Sequence, residues 1–373
     1  MDSDLLSAVD KIAEALRAED LFGAEDTQLP PATLLEFLSK EYEPLRQLTN
    51  VDRYSEIEDR EAAEEASLRL AEFYADASER MALGLYGLPG FGRLRPSTAT
   101  RSFRVGANTY FLGNELPSGD RCRLRQAFVE RKGIHLGEVV VKLVANAGGN
   151  ELAKREIANL AALHAADVPQ WKHLPLVLDR FEAGGKIGLV MRKICGANLR
   201  RVRELAPHRN GVDQRDMVWM LDRILSCLGF VHRAGIVHGS INPDHVMLRG
   251  RDHNAFLVGW GNAVLDPAGT GLRPEAAGDV FTAPEVRDRG RIGPWSDIYS
   301  LGKLIIWLLG GDPETDRLPA GVAEPIRDFL LKLVNKNPDA RPTDAWDVYQ
   351  EQVRIKRALW KTAFRHFPMP DVD

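Results

Sequence analysis

Between Val237 and Gly250 the sequence VHGSINPDHVMLRG brings together His238, Ser240, Asn242, Asp244 and His245, followed by FLVGWG at 256–261. A histidine two residues from a serine suggests a base beside a nucleophile. That chemistry also needs an acid to orient the base, and neither G-x-S-x-G nor a plausible acid partner is apparent. His245 suits a borderline metal ion rather than Mg²⁺, which prefers oxygen donors. Cys122, Cys195 and Cys227 are scattered, odd in number and without zinc spacing, which fits a reducing cytoplasm. Upstream, Lys142 sits in VVVKLV and Glu156 in ELAKREIANLAAL, an ion-pair candidate of a common kind.

Regular elements must position these groups. VVVKLV is rich in β-branched residues and bounded by Gly137 and Gly148-Gly149, which predicts a strand followed by a helix carrying Glu156. Val218, Leu221, Ile224, Leu225, Leu228 and Val231 recur at helical spacing, predicting a helix that delivers His238 into its loop. Leu301–Leu309 is apolar but short and contains Lys303, so it reads as a buried helix rather than a membrane span.

In this order the motifs resemble the protein kinase family, whose catalytic and metal loops read H-R-D-x-K-P-x-N and D-F-G. His238 keeps its place as a core residue. Ser240 stands at the catalytic Asp, Asn242 at the Lys, His245 at the metal-binding Asn, and Gly259 at the D-F-G Asp. Ala283-Pro284-Glu285 matches A-P-E, Asp297 the acid of the central large-lobe helix, and Arg341 the arginine that pairs with the A-P-E glutamate. The resemblance makes Lys142 the phosphate-reaching lysine and Glu156 its partner. It places Met191 at the back of a nucleotide pocket and Arg192-Lys193-Ile194 at the hinge. Pro117 to Cys122 corresponds to the glycine-rich loop, where only Gly119 survives; Pro117 lacks a donor and Asp120 adds negative charge.

The implied fold is α+β: a two-lobed kinase-like domain with a β-rich small lobe at about 108–190 and a helical large lobe at about 195–360. The implied activity is impaired or absent, a pseudokinase scaffold or regulatory binding module acting through a protein partner, a kinase or a chaperone system. No cofactor is required on this reading; ATP is what the frame would take, and Mg²⁺ has lost its ligands. The rival is an unconventional Ser/Thr kinase using displaced acids from Asp244, Asp252 or Asp266.

Residues 1–87 read as an acidic helical domain, with 21 Asp/Glu against 8 Lys/Arg, while the remainder carries 32 against 41. Expected stripes are Leu5, Val9, Ile12, Ala13 and Leu16, then Leu34, Leu35 and Leu38 behind Pro30-Pro31, then Leu68, Leu70, Phe73, Ala77 and Met81. Lys40-Glu41-Tyr42-Glu43-Pro44-Leu45 faintly resembles the run that ends a helix before the H-P-D loop of a J-domain, a co-chaperone module. Glu43 and Leu45 replace its His and Asp, so a degenerate J-like module and an unrelated helical hairpin both stay open, and with them a chaperone-linked adaptor. Residues 88–107, rich in Gly, Pro, Ser, Thr and Arg, read as a linker. Residues 361–373 read as a tail, with Val353, Leu359, Trp360 and Phe364 on a basic terminal helix. Nothing suggests a nucleic-acid partner, a signal peptide or a span, and the expected location is cytoplasmic.

Overall fold

The computed structural model describes residues 3–23, 31–90, 95–166, 169–250, 253–275, 278–360 and 367. Pro30, Asp252 and Phe364 lie outside them. The chain divides into two compact units, Met1–Asn146 with Leu176–Lys193, and Ala147–Pro175 with Ile194–Asp373.

The first unit opens with helices α1 (Ser3–Glu14), α2 (Ala18–Phe22), α3 (Pro31–Leu48) and α4 (Ile57–Ala82). Leu5, Ile12, Leu38, Leu70, Ala77 and Met81 are buried as their spacing predicts. Leu16 and Leu68 are not. Leu16 falls beyond the end of α1, and Leu68 is two positions from buried Leu70, which puts them on nearly opposite sides of one helix. Leu35 is likewise exposed. Pro31 begins α3, but the helix does not end at the Lys40–Leu45 run; it continues through Pro44 to Leu48. Tyr42 packs on Tyr74 and on the edge of Phe22, and Leu45 is buried, so contacts on both sides hold the helix across its proline.

Six antiparallel strands follow: β1 (Ser102–Val105), β2 (Asn108–Leu116), β3 (Cys122–Arg131), β4 (Ile134–Val144), β5 (Val177–Ala183) and β6 (Lys186–Arg192). They lie in the order β1-β2-β3-β4-β6-β5. VVVKLV lies within β4, and Lys142 is paired in register with Leu124 and Leu189.

Leu88, Pro89, Arg95 and residues 102–105 of the stretch expected as a linker, and the residues just before it, are packed structure. Leu85 and Leu88 belong to the sheet core with Tyr110, Val129, Val139 and Val190. The Arg192 guanidinium, buried, donates to the carbonyls of Gly84 (2.9 Å), Tyr86 (3.1 Å) and Gly87 (2.7 Å), while Glu138 N donates to Pro89 O at 2.7 Å. Arg95 pairs with Glu130 and lies 3.8 Å over the Phe111 ring. Residues 102–105 are strand β1. Gly, Pro and Arg here serve close backbone packing and arginine stacking, which composition alone does not separate from a solvated linker.

The second unit contains α5 (Asn150–His164), β7 (Ala197–Asn198), α6 (Leu199–Glu204), α7 (Gln214–Arg233), β8 (Ile236–Val237), β9 (Val246–Arg249), β10 (Asn254–Leu257), β11 (Val264–Leu265), α8 (Pro267–Thr270), α9 (Pro284–Arg287), α10 (Pro294–Leu308), α11 (Glu324–Leu333) and α12 (Ala345–Leu359). Every residue of the predicted α7 stripe is buried. Lys303 is buried on α10, where its ammonium reaches Asp316 and the Pro313 carbonyl. Among the described residues no helix is long and apolar enough to cross a membrane. α12 packs on α7, with Gln352 donating to Val218 O and Lys356 paired to Asp222. Phe367, which no periodicity singled out, is fully buried against His208 and Trp219.

Candidate functional site

The loop after α7 is held from beneath by Asp297 on α10. Its carboxylate accepts from His238 N (2.7 Å), Gly239 N (2.8 Å) and His232 Nε2 (3.0 Å), and it is almost wholly buried. His238 is also buried. Its Nδ1 accepts from Ser240 N at 3.3 Å and its Nε2 donates to Val258 O at 3.1 Å, so one neutral tautomer satisfies both bonds. That Nδ1 is turned to the backbone of residue 240, which leaves no Ser–His nucleophile pair. Trp260 packs edge-on against the imidazole at 4.6 Å, and its Nε1 donates to Leu257 O.

His245 dominates the other side of the loop. Its Nδ1 donates to Ser240 O at 2.7 Å, and Asn242 Nδ2 lies 3.2 Å from the same nitrogen. Asn242 Oδ1 accepts from Asp244 N. Val258 N donates to His245 O at 2.9 Å, bringing the GWG turn beneath the ring. Gly259 has φ +82°, and a β-carbon there would lie 2.6 Å from His245 Cδ2 and Nε2 and 2.7 Å from Cγ. The imidazole fills the space into which a side chain at 259 would grow. Gly239 (φ +70°) is crowded in the same way: a β-carbon there would meet Pro274 Cγ at 2.5 Å. Sequence reading missed this contact. Gly239 stood in plain view between His238 and Ser240, but nothing marked Pro274, or His232 as a partner of Asp297.

The alternative acids have local partners. Asp244 accepts two 2.7 Å bonds from Arg200. Asp266 caps α8 through Gly269 N at 2.9 Å. Among the described residues no group of three or more His, Cys, Asp or Glu could hold a metal ion. The resemblance sets metal ligands at 245 and 259; the structure has at 259 a glycine and at 245 an imidazole whose ring lies where a side chain at 259 would grow, and Mg²⁺ prefers oxygen donors.

Glu285 and Arg341 form a bidentate pair, both bonds 2.8 Å, with Ser296 Oγ donating to Glu285 at 2.7 Å. The remaining expected residues divide between the units. Gly119 lies exposed in the β2–β3 turn, Met191 is at the end of β6, and Lys193 Nζ is 2.7 Å from Glu138, all in the first unit. Glu156 is buried on α5 in the second, where Asn159 Nδ2 ties the helix to Ala263 O at 2.9 Å.

Burial pushes His238 down to about 4, with Asp297 opposing, and pushes His173 down to about 4 as well. Unfolded, both titrate near 6.5, so the unfolded chain binds more protons between these values. Their contribution is complete above pH 6.5 and is lost as pH falls toward 4. Burial, the largest single influence, would raise the Asp297 and Glu285 carboxyls, but the hydrogen bonds and charges around them, led by His232 and Arg341, together outweigh it and hold both below their ordinary values, adding a further loss in stronger acid. The urea midpoint is expected to fall steadily between pH 6.5 and 4, and His173→Gln to make that fall shallower. An unchanged slope would rule His173 out as a source.

No family model matches the chain. It is 25% identical over 195 residues to serine/threonine-protein kinase F of Synechocystis sp., covering 47% of this chain and 39% of that protein. It is 28% identical over 197 residues to serine/threonine-protein kinase D of the same organism, covering 48% and 37%. The chain thus spans well under half the length of these relatives. The kinase domain of Mycobacterium tuberculosis PknI, as a double mutant, superposes with TM-score 0.52 at 17% identity, covering 70% of this chain and 99% of that one. The fold is protein-kinase-like. Within this kinase-like fold the loop His238–His245, the GWG turn, the Glu285–Arg341 pair and Asp297 occupy one framework in the second unit, and Lys142 lies on a central strand of the sheet.

Proposed function

We propose that the chain is a pseudokinase: a kinase-like module that binds a protein partner and does not transfer phosphate at a useful rate. The carrying observation is the overlap of His245 with the side-chain space of Gly259. Phosphoryl transfer depends on positioning and on metal ions that neutralise the phosphates. Here one metal-ligand position has no side chain and the other is an imidazole hydrogen-bonded to the loop. Ser240 cannot accept a hydroxyl proton as a carboxylate does, and Asn242 brings no charge. The framework that holds these positions is nonetheless complete, which favours a retained binding role over decay of the whole domain. A nucleotide remains compatible with this reading because adenine contacts at a hinge use backbone groups.

The test is a thermal-shift titration with ATP, with and without Mg²⁺ or Mn²⁺, beside a phosphate-incorporation assay with generic acceptors. No metal-dependent shift is expected, and no incorporation that Lys142→Ala abolishes. Incorporation that disappears in Lys142→Ala would overturn the proposal.

A further inference from the structure

The helices of the first unit carry an outward face that packing within the unit does not use. On α4, Glu61, Glu65, Leu68 and Glu72 follow one another at helical spacing, and all are exposed. Glu65, Leu68, Arg69, Glu72 and Phe73 line an open hollow of about 410 Å³. Leu68 is 67% exposed and Leu16 78%. Arg69 Nη2 donates to Ala15 O at 2.9 Å, bringing the turn that carries Leu16 against this part of α4. The same guanidinium lies 5.7 Å over the Phe73 ring, so the one basic residue lining the hollow is turned toward an aromatic and a carbonyl rather than an acid. Among the described residues none of Glu61, Glu64, Glu65 and Glu72 makes an ion pair.

We propose that this face, centred on Leu68 with Leu16, Glu65 and Glu72, binds a basic amphipathic helix of a partner protein. Two exposed leucines and a partly buried phenylalanine offer the apolar floor on which a helix lays anchors at i, i+3 or i+4, and i+7. Carboxylates on the flanks suit Lys or Arg beside those anchors and disfavour an acidic helix or an anionic membrane surface. The wider charge agrees, since residues 1–87 carry 21 acidic against 8 basic side chains. The inference is independent of whether the second unit transfers phosphate.

The probe is a fluorescein-labelled Leu/Lys helix of about fourteen residues, about four turns, measured by fluorescence anisotropy against the full chain, with a Leu/Glu helix as control. Binding of the Leu/Lys helix is expected, with none of the Leu/Glu helix. The deciding variant is Leu68→Glu. It makes the face more acidic, so attraction by charge alone would leave the affinity equal or greater, whereas a docking groove loses about tenfold or more, the loss of one anchor. Glu65→Lys with Glu72→Lys is expected to weaken binding by a similar factor. Undiminished binding to Leu68→Glu, or no binding to the unaltered chain, would overturn the proposal. So would self-association that Leu68→Glu abolishes in sedimentation, because the occupant would then be a second copy.

Discussion

Replacing Arg341 with alanine is expected to lower the unfolding free energy by about 3–5 kcal/mol, the range for removing one partner of a buried ion pair. The guanidinium is buried and fully used. It makes both bonds to Glu285, reaches the carbonyls of Asn335 (2.6 Å), Trp295 (3.1 Å) and Lys336 (3.2 Å), and lies 4.7 Å over the Tyr299 ring. Alanine would leave the Glu285 carboxylate in place with Ser296 as its remaining side-chain donor, and would strip three carbonyls of a donor in the same spot. Arg341→Lys should recover little, because an ammonium lacks the planar fork that meets a carboxylate in parallel. Arg287→Ala, an exposed side chain at the end of α9, is the control and should stay within about 0.5 kcal/mol. Urea unfolding followed by circular dichroism makes the comparison. If the Arg341 and Arg287 variants unfold together, the pair does not anchor this unit.

What could be read from the sequence depended on how locally each feature is determined. The α7 stripe and VVVKLV declare themselves by period and β-branching, and the Asp297, Glu285 and Arg341 positions follow once the motifs are in register. Leu68 could have been separated from Leu70 by helical geometry alone, since residues two apart do not share a face. Pro44 could not have been placed, because its helix is held by Tyr42, Tyr74 and Phe22 across sequence distance. The segment from Gly84 to Pro89 was illegible for a related reason. The carbonyls of Gly84, Tyr86 and Gly87 accept from Arg192, about a hundred residues away, and that of Pro89 from Glu138, and neither end of these contacts carries a local signature. At the site, the sequence shows only that His245 and Gly259 stand where the resemblance expects metal ligands. That one replacement occupies the room left by the other is a fact of packing, and it changes what a reverting substitution should do.

Gly259→Asp alone should therefore destabilise the second unit and should not restore metal binding. Asp tolerates the left-handed backbone better than most residues, so the obstacle is the ring 2.6 Å from its β-carbon. His245→Asn alone removes the bond to Ser240 O and opens a gap. The pair should do better than the sum of its parts, with a coupling of about 1 kcal/mol or more, because asparagine has neither Cδ2 nor Nε2, two of the three ring atoms that crowd a β-carbon at 259. Adding Ser240→Asp and Asn242→Lys returns a carboxylate for the acceptor proton and a charge for the transferring group. The fourfold variant is expected to show Mg²⁺-dependent phosphate incorporation at least about 10²–10³ times above the unaltered chain, the scale on which a single lost electrostatic stabiliser acts. Lys142→Ala on that background should abolish the gain. Additive single effects would show that His245 and Gly259 do not share the space the structure gives them. A fourfold variant that folds, binds Mg²⁺ and still transfers nothing would place the lesion outside this loop, with the loop from Pro117 to Cys122 the next segment to restore, since it keeps Gly119 alone where close backbone approach to phosphates is needed.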